Sequence, residues 1–237
     1  MVIGIDIIQK TREDYNKIAQ HFSGTRYDIW PELEQLKPLF KNGQCILDWG
    51  CGNGRLLLML QEKKDVQYIG IDQSEALITI ARQKHRQAIT KGRARFYCTA
   101  RRVKKFPKNY FDLACFIASF HHLPGVASRL SVLREAYREL KPGGKLIMTV
   151  WNLGSDWAKA KQKKDWEQVG PSDWFIPWKD YQTGKIITRR YYHHFIPAEI
   201  RELVTEAGFK VEKTDYGPGP GNTEKGGRNL IVIAVKK

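Results

Sequence analysis

From about residue 44 onward, short apolar runs of strand character alternate with stretches whose apolar residues recur at helical spacing. Cys45-Ile46-Leu47-Asp48 predicts a buried strand that ends in Gly50-Cys51-Gly52-Asn53-Gly54, with the run LLLMLQEK predicting a helix after it. Val66–Ile71 predicts the next strand, closed by Asp72, and Ser74 is placed to cap a helix that carries Leu77, Ile80 and Ala81 on one face. Further strands are expected at 94–98 and 111–117. Leu130, Leu133, Tyr137 and Leu140 then share a helical face, Lys141-Pro142-Gly143-Gly144 stops that helix, and 146–151 predicts a fifth strand. Strands alternating with helices imply an α/β, doubly wound, mainly parallel sheet with right-handed crossovers.

Three segments break the rhythm. Residues 1–43 read as a helical N-terminal segment around Tyr15-Asn16-Lys17-Ile18-Ala19. Residues 152–190 hold four of the seven tryptophans and the lysines 159, 161, 163 and 164 without a clear period, so they read as an inserted lobe. Gly217–Gly227 joins two late strand-like runs, 210–216 and 229–235. With no internal repeat, residues 1–237 are expected to form a single domain.

Charge changes the picture most. Forty Lys and Arg residues against twenty-five Asp and Glu leave a formal charge of +15, which favours a polyanionic partner, above all nucleic acid. Mean hydropathy is -0.49 and no apolar run reaches the roughly 18 residues of a membrane span. The opening residues have neither the basic start nor the small-residue cleavage site of a signal peptide. Cys45, Cys51, Cys98 and Cys115 sit singly in apolar runs, which fits neither a disulfide framework nor a zinc site and suits a reducing cytoplasm.

Glycines at alternate positions after a strand let a ligand approach the backbone with no Cβ in the way. Here Asp48-Trp49-Gly50-Cys51-Gly52-Asn53-Gly54 places an acid before a G-x-G-x-G loop, and a second acid, Asp72, ends the next strand, where two oxygens suit a ribose diol. This arrangement resembles the class I S-adenosylmethionine methyltransferases. The resemblance implies a Rossmann-like, seven-stranded sheet and S-adenosylmethionine held by Asp48, Gly50, Cys51, Gly52, Gly54, Asp72, Gln73, Ala100 and Ile117. It departs from the family after the third strand. Cys98-Thr99-Ala100-Arg101 lacks the acid that often meets the adenine amino group, so adenine recognition is expected to rest on backbone and apolar packing.

Two further segments narrow the resemblance. Tyr15–Tyr27 (YNKIAQHFSGTRY) with Trp30-Pro31, and Ile117-Ala118-Ser119-Phe120-His121-His122, are similar to segments of the tRNA methyltransferases that esterify 5-carboxymethyluridine at the wobble position. Phe175-Ile176-Pro177-Trp178 and Arg190-Tyr191-Tyr192-His193 are similar to that family's late region. A carboxylate acceptor, with a reference pKa of about 4, is already ionised at neutral pH and needs orientation rather than a general base. Arg26, whose guanidinium fork matches a carboxylate, and His121, just past the fourth strand, are the candidate residues that position the acceptor. Tyr27, Trp178, Arg190, Tyr191 and His193 are further candidates for substrate binding. No metal site is expected, because no carboxylate or Cys at ligand spacing accompanies the histidine pairs.

Between Glu75 and Asp112 there is no acidic residue but a long series of Lys and Arg. Arg101, Arg102, Lys104 and Lys105 follow the third strand, on the cofactor edge of the sheet, and are expected to hold phosphates of the tRNA anticodon arm. The resemblance also implies a small zinc-binding activator subunit as a partner. Two rival readings remain at this level: a methyltransferase acting on another RNA position or on a small carboxylic acid, and a non-catalytic subunit that binds S-adenosylmethionine and RNA.

Overall fold

The computed structural model describes residues 4–26, 29, 31–100, 105–217 and 225–237. Its larger sheet has seven strands: β1 (Cys45–Trp49), β2 (Gln67–Asp72), β3 (Ala94–Cys98), β4 (Phe111–Ile117), β5 (Leu140–Trp151), β9 (Phe209–Tyr216) and β10 (Asn229–Lys236). The spatial order is β3-β2-β1-β4-β5-β10-β9. The first five strands run parallel, and β10 lies antiparallel to both β5 and β9. This is the mainly parallel α/β architecture expected from the alternation of elements, in the Rossmann-like, seven-stranded form that the resemblance implies. The chain reverses its direction of winding between β1 and β4, the place where open α/β sheets bind ligands at their carboxyl ends.

The sheet is covered on both faces, which is why its strands read as unbroken apolar runs. One core packs Leu47, Phe116 and Met148 against Leu133 of α5 (Gly125–Glu139) and Leu203 of α7 (Pro197–Glu206). The other packs Ile46, Tyr68 and Leu113 against Ile78 of α3 (Glu75–Lys84) and the Leu36–Phe40 turn that follows α2 (Pro31–Glu34). The short α4 (Arg86–Thr90) follows α3. The run after the glycine loop differs from expectation: Arg55–Leu60 is a 3-10 segment, not an α-helix. Leu56, Leu57, Met59 and Leu60 are all buried, so its sides bury together rather than one stripe, and Gly54 enters it in the left-handed conformation.

Two additions roof the carboxyl end of the sheet. Helix α1 (Gly4–Gly24) lies across α3, where Asn16 Oδ1 accepts from Ser74 Oγ at 2.8 Å and from Ala76 N at 3.2 Å. The segment expected to be an inserted lobe without period contains α6 (Asp156–Asp165) and an antiparallel sheet of β6 (Glu167–Gln168), β7 (Asp173–Lys179) and β8 (Ile186–His193). Lys10 Nζ on α1 donates to Arg189 O at 2.7 Å, and Asp14 accepts from Thr188 Oγ1, so α1 and β8 hold each other.

Candidate functional site

Gly50 N and Cys51 N both donate to Ile71 O, at 2.8 and 3.0 Å, which folds the glycine loop over the end of β2. Gly50 has φ +73°, and a Cβ there would lie 2.4 Å from Ser119 Cβ. Asp72 secures the loop from the other side: Oδ2 accepts from Gly52 N at 2.9 Å and Oδ1 from Ser74 N at 2.8 Å. Each carboxylate oxygen keeps a second lone pair for a ligand. Gly54 serves packing instead. A Cβ there would meet the His85 ring at 2.8 Å and Phe96 at 2.9 Å, beneath the loop.

These groups border a cavity of about 390 Å³, within the usual range for a small-molecule site. Gly50, Cys51 and Gly52 form its floor, Asp72, Gln73 and Ala100 one end, and Ile117 and Ser119 the wall beyond β4. The S-adenosylmethionine implied by the resemblance fits this lining. The bare backbone at Gly50 and Gly52 leaves room for the methionine end, and the free lone pairs of Asp72 suit a ribose diol.

The rest of the lining is cationic and aromatic. Arg55, Arg26 and Arg190 all border the cavity. Burial, and after it the nearby Arg26 charge, push the Arg55 guanidinium down to about 9. Arg26 Nη1 donates to Thr25 O at 3.2 Å and Oγ1 at 3.0 Å, and its guanidinium lies 5.2 Å from the Phe22 ring and 5.8 Å from Trp178. Arg190 lies 4.7 Å over that same Trp178 ring, whose Nε1 donates to His21 Nδ1 at 2.6 Å.

Of the two adjacent histidines, His122 borders the cavity and His121 does not. His121 is buried, accepts from Trp151 N at Nδ1 (3.2 Å) and stacks on Tyr192 at 4.7 Å. The cause is local. Ala118 takes a left-handed φ of 51° and the chain then turns through a 3-10 segment, Phe120–His122, which swings the second imidazole to the cavity. Burial pushes His122 down to about 3, so its ring is neutral. Nδ1 faces Tyr191 O at 2.7 Å and must donate, leaving Nε2 to accept from Tyr15 Oη at 2.8 Å.

Several candidates fall elsewhere. Tyr27, Arg101, Arg102 and Lys104 lie outside the described residues, and Lys105 is exposed. Within the same basic stretch, Arg82 and Arg93 are spent on the carbonyls of Phe96, Leu60 and Lys63. Tyr191 and His193 do not border the cavity but staple the small sheet to the helices. Tyr191 Oη donates to Asp173 Oδ1 at 2.5 Å, and His193 sits between Asp173 Oδ1 and Glu199 Oε1, 2.8 Å from each. Glu199 is further paired with Arg129 at 3.3 Å. Tyr15, Arg55, His122 and Tyr192 border the cavity without being site candidates from the sequence, although Tyr15, His122 and Tyr192 lie inside the quoted motifs. Among the described residues no group of His, Cys, Asp or Glu could hold a metal.

Asp48 also stands behind the loop rather than in the cavity. Its Oδ2 accepts from Tyr68 Oη at 2.7 Å, its Oδ1 has no partner, and burial pushes the carboxyl up to about 7 against the Tyr68 hydrogen bond. A carboxyl raised on folding stabilises the fold fully below its unfolded pKa of about 4 and loses that stability as pH rises to the folded value. The difference is worth about 4 kcal/mol across that window. Thermal melts of wild type and Asp48→Asn at pH 4.5, 6 and 7.5 should therefore diverge, the variant gaining as pH rises. A gap independent of pH would show that Asp48 does not titrate there.

Comparison with known proteins agrees with this construction. A family model described as a methyltransferase domain matches residues 46–144. The tRNA (carboxymethyluridine(34)-5-O)-methyltransferase of Schizosaccharomyces pombe is 32% identical over 219 residues, spanning 85% of this chain and 89% of its own. A Mus musculus protein of the same named activity is 34% identical over 149 residues, and there the match spans only 21% of the relative's length. Among solved structures, a SAM-dependent methyltransferase of Methanosarcina mazei superposes with a TM-score of 0.66 at 23% identity, covering 88% of this chain and 98% of that one. A Haloferax volcanii methyltransferase in complex with the Trm112 methyltransferase activator gives a TM-score of 0.66 at 17% identity, covering 95% of this chain and 96% of that one. With a glycine loop and acid whose lining suits the methyl donor, on this sheet and with this relative matched along most of both chains, the protein is an S-adenosylmethionine-dependent methyltransferase belonging to the family of the tRNA (carboxymethyluridine(34)-5-O)-methyltransferases.

Proposed function

We propose that this chain methylates the carboxylate of 5-carboxymethyluridine at the wobble position of tRNA, producing the methyl ester. The observation that carries the reading is that one cavity is lined both by the glycine loop and Asp72 and by three arginines with aromatic rings. S-adenosylmethionine, when bound, supplies an electrophilic methyl on a sulfonium sulfur that leaves as a neutral thioether. What this chain must add is an oriented oxygen nucleophile and exclusion of water. Neither histidine beside the cavity is free to act as a base. Both nitrogens of His122 are engaged, and His121 is walled off behind Tyr192. A hydroxyl acceptor would need such a base, whereas a carboxylate arrives ionised.

Arg26, which borders the cavity, would help orient the acceptor. Trp178, the ring shared by Arg26 and Arg190, would keep both guanidiniums in place. The exposed Lys105 and the charge of +15 favour an RNA acceptor over a small acid, since such a charge attracts phosphates. No helix among the described residues is long and apolar enough to cross a membrane, and a tRNA substrate puts the work in the cytoplasm. The proposal extends to an activator subunit of the kind seated on the Haloferax protein, to be tested by co-expression and co-purification.

The test is direct. Purified protein, with and without a co-expressed activator, is incubated with S-adenosylmethionine and tRNA bearing 5-carboxymethyluridine, and the digested nucleosides are analysed by mass spectrometry. The methyl ester should appear, and at higher salt its yield should fall. Absence of ester from both samples, each shown to bind the methyl donor, would refute the reading.

A further inference from the structure

We infer that Arg190 is the clamp that receives the acceptor carboxylate, through the Nε–Nη2 edge of its guanidinium, and that Tyr15 and His122 position that edge. The inference rests on the carboxylate acceptor proposed above and names the atoms that would select it. Arg190 is 97% buried, with a relative exposure of 3%, yet it borders the cavity. Its Nη1 donates to Tyr15 Oη at 3.2 Å, and its Nε is buried with no hydrogen-bond partner among the described residues. No carboxylate pairs with it among the described residues. Asp14, the nearby acid, is occupied by Lys10 Nζ at 2.7 Å and by Thr188 Oγ1.

A guanidinium kept only for structure spends its Nε as well as an Nη on the chain around it, as Arg129 and Arg138 do here. A buried cation without its counter-charge is costly, and aromatic faces offset only part of that cost. Trp178, Tyr192 and Tyr15 lie 4.7, 5.2 and 5.7 Å from the Arg190 guanidinium, so the plate is held flat while one edge is left over. The leftover edge is the one that binds both oxygens of a carboxylate side-on.

The orientation of that edge is determined by a chain of hydrogen bonds with one direction. His122 Nδ1 donates to Tyr191 O, so Nε2 accepts from the Tyr15 hydroxyl, and the Tyr15 oxygen is left to accept from Arg190 Nη1. Backbone phosphates of a bound RNA ride on the rim, whereas a substituent on a base presented to the cavity reaches inward, where Arg190 stands. The group it takes is therefore the carboxylate of the base itself. In the step, the carboxylate oxygen forms the new C–O bond and the S–CH₃ bond breaks with its electron pair left on sulfur. No proton moves.

The test compares tRNA bearing 5-carboxymethyluridine with the same tRNA bearing the isosteric 5-carbamoylmethyl amide as a competitive inhibitor. Wild type should bind the carboxylate roughly tenfold or more tighter than the amide, as charge-assisted pairing demands. Arg190→Met should raise KM by at least about tenfold and abolish the preference, with S-adenosylmethionine affinity by calorimetry unchanged. Arg190→Lys keeps charge and approximate volume but not the fork, and carries the same test if the methionine variant does not fold. Tyr15→Phe, which frees Nη1, should erode the preference without altering donor affinity. A variant at Arg190 that binds the donor and still prefers carboxylate over amide overturns the clamp. Wild type that forms no ester overturns the acceptor reading instead, before any variant is compared.

Discussion

Asp72→Ala is expected to weaken binding of S-adenosylmethionine by a factor of about 10² to 10⁴, because two charge-assisted hydrogen bonds at about 1.5–3 kcal/mol each are removed. The same carboxylate ties the glycine loop to the head of α3 through Gly52 N and Ser74 N, so the substitution also frees the cradle itself. Asp72→Asn retains one acceptor oxygen and should fall between the two. Burial raises the Asp72 carboxyl despite those backbone donors, which makes its charge a burden to the empty fold. The alanine variant should accordingly remain folded while losing its ligand. Calorimetric titration with S-adenosylhomocysteine measures the effect, and an affinity within threefold of wild type would remove Asp72 from the site.

Gly50→Ala should lower the melting temperature by roughly 5–15 °C. A left-handed residue with a Cβ costs about 1–2 kcal/mol and overpacking another 1–3 kcal/mol, and in a chain of this size each kcal/mol is worth about 2–4 °C. The clash is with Ser119, whose Oγ donates to Trp49 O at 2.5 Å and whose backbone begins the turn that carries both histidines. The added methyl therefore presses on the loop after β4 as well as on the cradle. Trimming the obstacle in Gly50→Ala/Ser119→Gly should recover the packing part and leave the backbone part. A single variant that melts within a degree of wild type would contradict the close approach of the two loops.

The parallel strands were legible because burial on both sides leaves a simple mark, an apolar run ended by a functional turn. Asp72 and the G-x-G-x-G loop were legible for a related reason: their chemistry is local to the chain. The antiparallel sheet of residues 167–193 left no such mark. Its strands carry aromatic or cationic residues on both faces, and the one sharp cue, the Asp180–Gly184 turn closed by Asp180 Oδ1, is spaced like any loop. His121 against His122 was undecidable from order alone, since a left-handed alanine three residues before the pair precedes the turn that brings the second imidazole to the cavity. Charge at Arg190 was visible in the sequence, whereas its burial and its unmatched Nε arise from α1 and β8 meeting at a separation of 175 residues.

That same meeting has a consequence for the order in which the molecule comes into being. The floor of the cavity is built from residues 48–119, close together in the chain, and can form as soon as the first strands pair. The arginine wall joins Lys10 to Arg189 and Tyr15 to Arg190, contacts of 179 and 175 residues' separation, whose loop closure is slow and late. During synthesis α1 emerges first and can dock on α3 through Asn16, but its contacts with β8 must wait for residues 186–193. The side of the pocket held by these long-range contacts is thus expected to form after the glycine loop, and in the folded chain it is the part expected to open first.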